Sequence, residues 1–149
     1  MKRKTILQAG AAGICLSMGL PVAAQAMDRN PLSAELWKTR PVVVVVPRQD
    51  DALLRRIDAA LQQTATREAF VDREMVLYTV VDGKGERNRQ PLDSRQTAGL
   101  LDALQLDAAG PPTFVLVGKD GGTKITKGAD VDLGEVFAEV DRMPMRRRD

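Results

Sequence analysis

Apolar residues come in blocks along this chain, and the spacing inside each block points to an element. Pro41-Val42-Val43-Val44-Val45-Val46-Pro47 sets five consecutive valines between two prolines. A β-branched run with no polar alternation predicts a strand buried on both faces at the centre of a sheet. The prolines are expected to bound it, because they donate nothing to the ladder. Leu53, Leu54, Ile57 and Leu61 recur at helical spacing and predict a helix to about Thr64, with Asp50 and Asp51 as cap and dipole partners at its start. Met75-Val76-Leu77-Tyr78-Thr79-Val80-Val81 predicts a second strand, closed by a turn or loop at Asp82-Gly83-Lys84-Gly85. Asp93 or Ser94 is placed to cap a helix carrying Leu100, Leu101 and Leu104, which stops before Gly110-Pro111-Pro112. Thr113-Phe114-Val115-Leu116-Val117 predicts a third strand, Lys119-Asp120-Gly121-Gly122 a hairpin turn, and residues 123–127 the returning strand. A last helix carries Leu133, Val136, Phe137 and Val140, with Asp132 as its cap and Pro144 beyond its end. The lead-in is polar apart from Trp37, which is expected to pack on the sheet edge.

The predicted order is β-α-β-α-β-β-α, an α/β arrangement with a mixed central sheet flanked by helices. Helical connections permit parallel strands, and the tight turn adds an antiparallel edge. This is the order of the thioredoxin-like fold. In that fold a cis-proline begins the strand leading into the hairpin, and Pro112 occupies that place.

The first 26 residues change the reading of composition. Lys2, Arg3 and Lys4 precede an apolar stretch and then Ala24-Gln25-Ala26, the layout of a signal peptide cleaved after Ala26. A membrane anchor is disfavoured by Gln8, Pro21 and the shortness of the apolar stretch, and a lipid on Cys15 by the bulky Ile14 before it. The expected product is one domain, residues 27–149, in the periplasm or outside the cell, with no stable membrane insertion after cleavage. The chain has 22 basic and 20 acidic residues; the leader takes three of the basic ones, leaving 19 against 20. The basic character of the precursor therefore says nothing about nucleic acid. The few, scattered aromatics also predict no nucleic-acid partner.

The only cysteine, Cys15, lies in the leader, and the chain has no histidine. That excludes thiol redox chemistry, Cys/His and Ser/His catalysis, and metal sites built on Cys and His. Ser33 and Ser94 lie in no S-x-x-K pattern. Asp120, Asp130 and Asp132 do not have EF-hand spacing, and Asp82, Glu86 and Asp93 are not placed as a catalytic pair. No cofactor and no metal are called for.

Two segments carry a family resemblance. One is Trp37-Lys38-Thr39-Arg40-Pro41 before the valine run. The other is Phe114-Val115-Leu116-Val117-Gly118-Lys119-Asp120-Gly121-Gly122, followed by Leu133-Gly134-Glu135-Val136-Phe137 and Asp141-Arg142-Met143-Pro144-Met145-Arg146. Together they resemble the DUF4174 family, small secreted bacterial proteins of unknown function. The resemblance implies a thioredoxin-like domain without the CxxC motif, and no catalytic residue.

In a redox thioredoxin the cysteines sit where this chain has Arg48-Gln49-Asp50-Asp51-Ala52. The expected function is therefore a redox-inactive binding module. Its partner would be a periplasmic or cell-surface protein or peptide, held in a groove between Arg48, Asp50 and Asp51 on one side and Pro111 and Pro112 on the other. The alternative is an exported enzyme using carboxylate, Arg or Lys chemistry; no constellation for it is visible, and peroxidase or thiol oxidoreductase activity is excluded. Arg146-Arg147-Arg148 reads as a solvated end or a docking element. Met143 and Met145 read as folding back on the core or as an apolar–basic tail.

Overall fold

The computed structural model describes residues 29–145. After a short 3-10 turn, Pro31–Glu35, come β1 (Arg40–Val46), α1 (Ala52–Gln62), α2 (Thr64–Asp72), β2 (Met75–Val81), β3 (Lys84–Arg87), β4 (Gln90–Pro91), α3 (Ser94–Leu104), β5 (Thr113–Val117), β6 (Thr123–Lys127) and α4 (Leu133–Arg142). The strands form one mixed sheet in the order β4-β3-β2-β1-β5-β6. β1 runs parallel to β2, with Val44 opposite Thr79, and antiparallel to β5, with Val44 opposite Phe114. This architecture is consistent with a thioredoxin-like α/β fold.

The valine run is the centre of the molecule, as its lack of alternation predicts. Every residue of β1 is buried. Val42, Val44 and Val46 face Leu53, Leu54 and Ile57 of α1, Phe70 of α2, and Val136 and Val140 of α4. Val43 and Val45 face the other way, toward Leu100 of α3 and Leu32 of the 3-10 turn. Burying one such side chain is worth about 1.5–3 kcal/mol, so this strand anchors helices on both faces.

Capping chemistry sets the helix starts. Asp51 Oδ1 accepts from the Leu53 N–H at 2.9 Å, and Asp132 Oδ1 from the Glu135 N–H at 3.1 Å. Asp93 and Gln96 form a reciprocal capping box. Asp120 accepts from the Gly122 N–H at 3.0 Å, the turn role read from the sequence.

Several expectations need correction. The first predicted helix ends at Gln62, and an unforeseen second helix, α2, follows at once. The break is at Gln63, whose backbone is extended at φ −72° and ψ 126°. Asp82-Gly83 forms the expected turn, a tight hairpin in which both residues have positive φ, but Lys84 and Gly85 already belong to the next strand, with Val81 paired to Lys84. The strand it opens, β3, and the short β4 extend the sheet by two strands beyond the predicted set. Pro41 lies inside β1 rather than bounding it. No described peptide bond is cis, so Pro112 is trans, and it precedes β5 instead of starting it. Trp37 does not pack on the sheet: it is 66% exposed. Met143 does fold back on the core, partly buried against the α4 side. The expected leader, its expected cleavage site and the arginine run lie outside the described residues.

Candidate functional site

The antiparallel pairing of β1 with β5 decides what meets at the end where β1 finishes. Val45 lies opposite Thr113, so the segment after β1 and the segment before β5 leave the sheet side by side. Arg48, Asp50 and Asp51 thus share that end with Pro111 and Pro112. Their own contacts are local. Arg48 Nε pairs with Asp50 Oδ1 at 3.2 Å with both side chains solvated. Asp51 is spent on the α1 cap. The Pro111 carbonyl accepts from the Thr113 hydroxyl at 2.9 Å.

Beside this loop the sheet extends past the flank of α1, because β3 widens it. The resulting groove, about 460 Å³, is lined by Gln49, Leu54, Leu77, Thr79 and Val81, with Asp58, Lys84, Glu86 and Arg89 around them. Leu54, Leu77 and Val81 belong to the core on that face, so the floor is apolar. Among the described residues, Asp58, Lys84, Glu86 and Arg89 form no side-chain hydrogen bond or ion pair with one another or with other groups. Arg89 is set by a tight turn in which Asn88 and Arg89 both have positive φ, and Asn88 Oδ1 accepts from the Leu77 N–H at 3.0 Å. Sequence reasoning missed this groove because it missed β3. The available signal was Asp82-Gly83 directly after a strand, a strong short-range hairpin mark.

A larger concavity, about 620 Å³, lies between α1, α2 and the start of α4, over Ala60, Ala65 and Ala69. Two of its charged groups are committed. Arg56 Nη1 donates to the carbonyls of Ala129 at 2.8 Å and Val131 at 3.3 Å, and Asp132 caps α4.

The buried polar chemistry lies elsewhere. Glu35, 4% exposed, accepts from Tyr78 Oη at 2.7 Å, Arg87 Nε at 2.6 Å and the Thr39 hydroxyl at 2.5 Å. Burial alone would raise its pKa, but the hydrogen bonds from Arg87, Thr39 and Tyr78 outweigh burial and hold it below the ordinary value. Burial, and then the Glu35 carboxylate, push the Tyr78 phenol up. At the starts of β1 and β2, Glu74 pairs with Lys119 and, at 3.5 Å, with the almost fully buried Arg40. The Lys119 hydrogen bond is the main reason its pKa is lowered. Asp120 is lowered first by Lys124 and then by the Gly122 N–H. All three perturbed carboxylates are pushed toward the ionised form, the wrong direction for a general acid. Among the described residues, no group of three His, Cys, Asp or Glu side chains is placed to hold a metal ion.

The fold and this site define an α/β domain, consistent with a thioredoxin-like strand order, that carries a mixed-charge groove beside the loop after β1. Residues 31–149 match the family described as a domain of unknown function, DUF4174, and the chain belongs to that family. No curated protein and no solved structure matches it. Among the described residues no helix is long and apolar enough to cross a membrane.

Proposed function

We propose that this chain is exported by its leader, cleaved after Ala26, and acts in the periplasm or outside the cell as a redox-inactive module that binds an extended peptide segment of another protein. The observation that carries the reading is the groove beside Gln49, where charges of both signs have no partner among the described residues and stand around an apolar floor. Surface charges of opposite sign this close to one another commonly pair. Here they are left to a ligand carrying both charges and an apolar side chain, which is the chemistry of a peptide. Gln49 lines the groove at its loop end, and its neighbours Arg48, Asp50 and Asp51 follow β1 at the end of the sheet where Pro111 and Pro112 precede β5, which supports counting them with the same edge. The enzymatic alternative draws no support from the carboxylates, whose perturbations favour the charged form.

The test is selection from a peptide display library by the mature protein, with dissociation constants measured for the peptides recovered. Lys84→Glu with Arg89→Glu reverses the basic rim and is expected to weaken the selected peptides at least about tenfold, since each desolvated charge pair is worth about 1.4 kcal/mol or more. Unchanged affinities in that variant sink the groove. If Asp50→Lys with Asp51→Lys alone abolishes binding, the ligand sits on the edge between the loop and Pro111-Pro112 instead.

A further inference from the structure

The groove beside Gln49 carries its charges in a fixed order. Leu77, Thr79 and Val81 alternate along β2 and line it on one face of the sheet. β3 runs antiparallel beside them, with Lys84 opposite Val81 and Glu86 opposite Thr79. Past the end of β3 the Asn88 N–H donates to the Leu77 carbonyl at 2.7 Å, so Arg89, the next residue, stands at the Leu77 end. From the loop end outward the rim therefore reads positive, negative, positive: Lys84 beside Val81, Glu86 beside Thr79, Arg89 beside Leu77. The opposite wall is α1, which contributes Leu54 and Asp58. α1 follows β1, and β1 is parallel to β2, so α1 runs back along the groove from the Val81 end. Asp58 lies just past the middle of α1, about 9 Å from its start at Ala52. It brings a second negative charge to the middle of the groove rather than to its loop end.

We infer that the groove takes an extended segment in which a basic residue is flanked, two positions away on each side, by acidic ones: Glu-x-Arg-x-Glu or its Asp and Lys equivalents. This rests on the reading of the groove as a peptide site and adds the order of charges that the site selects. Alternate side chains of an extended chain point the same way and repeat at about 6.8 Å, the same two-residue step that separates Val81, Thr79 and Leu77. The first, third and fifth side chains of the ligand therefore enter the groove together, one at each step, while the second and fourth face solvent. One acid meets Lys84, the base meets Glu86 and Asp58, and the other acid meets Arg89. The methylenes of these side chains lie on the apolar floor while their charged ends reach the rim. The pattern reads the same from either end, so both strand directions satisfy it. Another order of the same residues satisfies neither: Glu-x-Glu-x-Arg sets like charges together at two of the three steps whichever way it lies. Like-charge contacts of this kind are how a site rejects the wrong partner.

Two synthetic peptides of identical composition make the test, each set in the same neutral flanking sequence: one carries Glu-Ser-Arg-Ser-Glu, the other Glu-Ser-Glu-Ser-Arg. Calorimetric titration of the protein should give the first an affinity at least about tenfold higher, and raised salt should narrow the gap. Glu86→Lys with Asp58→Asn makes the middle step basic. That variant should keep its melting temperature and reverse the choice, binding Glu-Ser-Glu-Ser-Glu more tightly than Glu-Ser-Arg-Ser-Glu. If it does not fold, the two peptides on the parent protein decide the matter alone. Equal affinities for the two peptides, binding of neither, or a folded variant that keeps the parent's choice overturns the inference. The groove itself is judged separately. Library peptides that lose affinity in Lys84→Glu with Arg89→Glu, yet show no preference for this order, leave the groove as a peptide site and sink only the order of charges. Library peptides that keep their affinity in that variant sink both.

Discussion

The two ends of the sheet are built on opposite terms. Where β1 finishes and β5 begins, the loop is carried by proline and turn residues, and its ion pair, Arg48 with Asp50, is solvated. Where β1 and β2 begin, Glu35 and Arg40 are buried, and Glu74 stands between Arg40 and Lys119. An exposed pair is worth about 0–1 kcal/mol. Removing one partner from a buried charged network costs about 3–5 kcal/mol. The first end is therefore inexpensive to change, and the polar interactions that hold the domain together gather at the other.

The sharpest way to break this comparison is to remove one carboxylate from each end. Glu35→Ala strips Tyr78, Arg87 and Thr39 of their common acceptor. It should cost about 3 kcal/mol and lower Tm by roughly 10–20 °C. Asp50→Ala removes only a solvated pair and should stay within about 0.5 kcal/mol of the parent. Thermal melts of the two variants decide it, and equal shifts would show that the ends are not different in kind.

A second substitution probes how the lead-in is attached. Gly99 lies in α3, where a Cβ would stand 1.8 Å from the Arg29 carbonyl oxygen. Elsewhere in a helix Gly→Ala gains about 1 kcal/mol. Here the backbone must move, so Gly99→Ala should destabilise by about 1–3 kcal/mol and speed proteolysis ahead of Pro31. A stabilised variant would mean that the lead-in is not seated on α3.

What was legible in the sequence follows from range. Asp51, Asp93 and Asp132 are caps because each bonds an N–H two or three residues on, and local chemistry can be read locally. The valine run announces a central strand because no other element tolerates it. α2 was illegible because Phe70 is the sole buried residue in its nine. β3 alternates weakly, and its single buried residue is Gly85, which has no side chain to mark a face. The Glu35 network joins residues 43 and 52 positions apart, so no spacing rule reaches it. Trp37 shows the limit from the other side: its apolarity suggested burial, but the left-handed backbone that turns it outward depends on a carbonyl from the distant β5–β6 turn.

Acid titration sharpens the contrast without mutating the fold. Glu35 and Glu74 titrate below their ordinary value of 4.5 and Asp120 below 3.8. A depressed folded-state pKa adds stability above the unfolded value, and that stability is lost as pH falls through the folded value. Urea midpoints should therefore hold from pH 7 to about 5 and fall below it. Glu35→Gln should flatten the slope below pH 5. A slope that survives Glu35→Gln would move the acid-sensitive groups away from the lead-in.

The smallest effect tests whether the first end is only structural. Asp51 caps α1 through one oxygen, and Asn caps a helix as well as Asp does, so the two substitutions separate geometry from charge. Asp51→Ala should cost about 1 kcal/mol, read from urea midpoints. Asp51→Asn should cost only a few tenths, the part owed to a negative charge near the helix N-terminus. If Asn is as costly as Ala, the charge itself is holding something in the free protein, and this end is tied after all. If Asn is neutral for stability yet weakens the peptides selected by the groove, the charge of Asp51 is felt by the ligand rather than by the fold. That outcome would extend the binding edge from Arg89 and Lys84 across to the loop after β1.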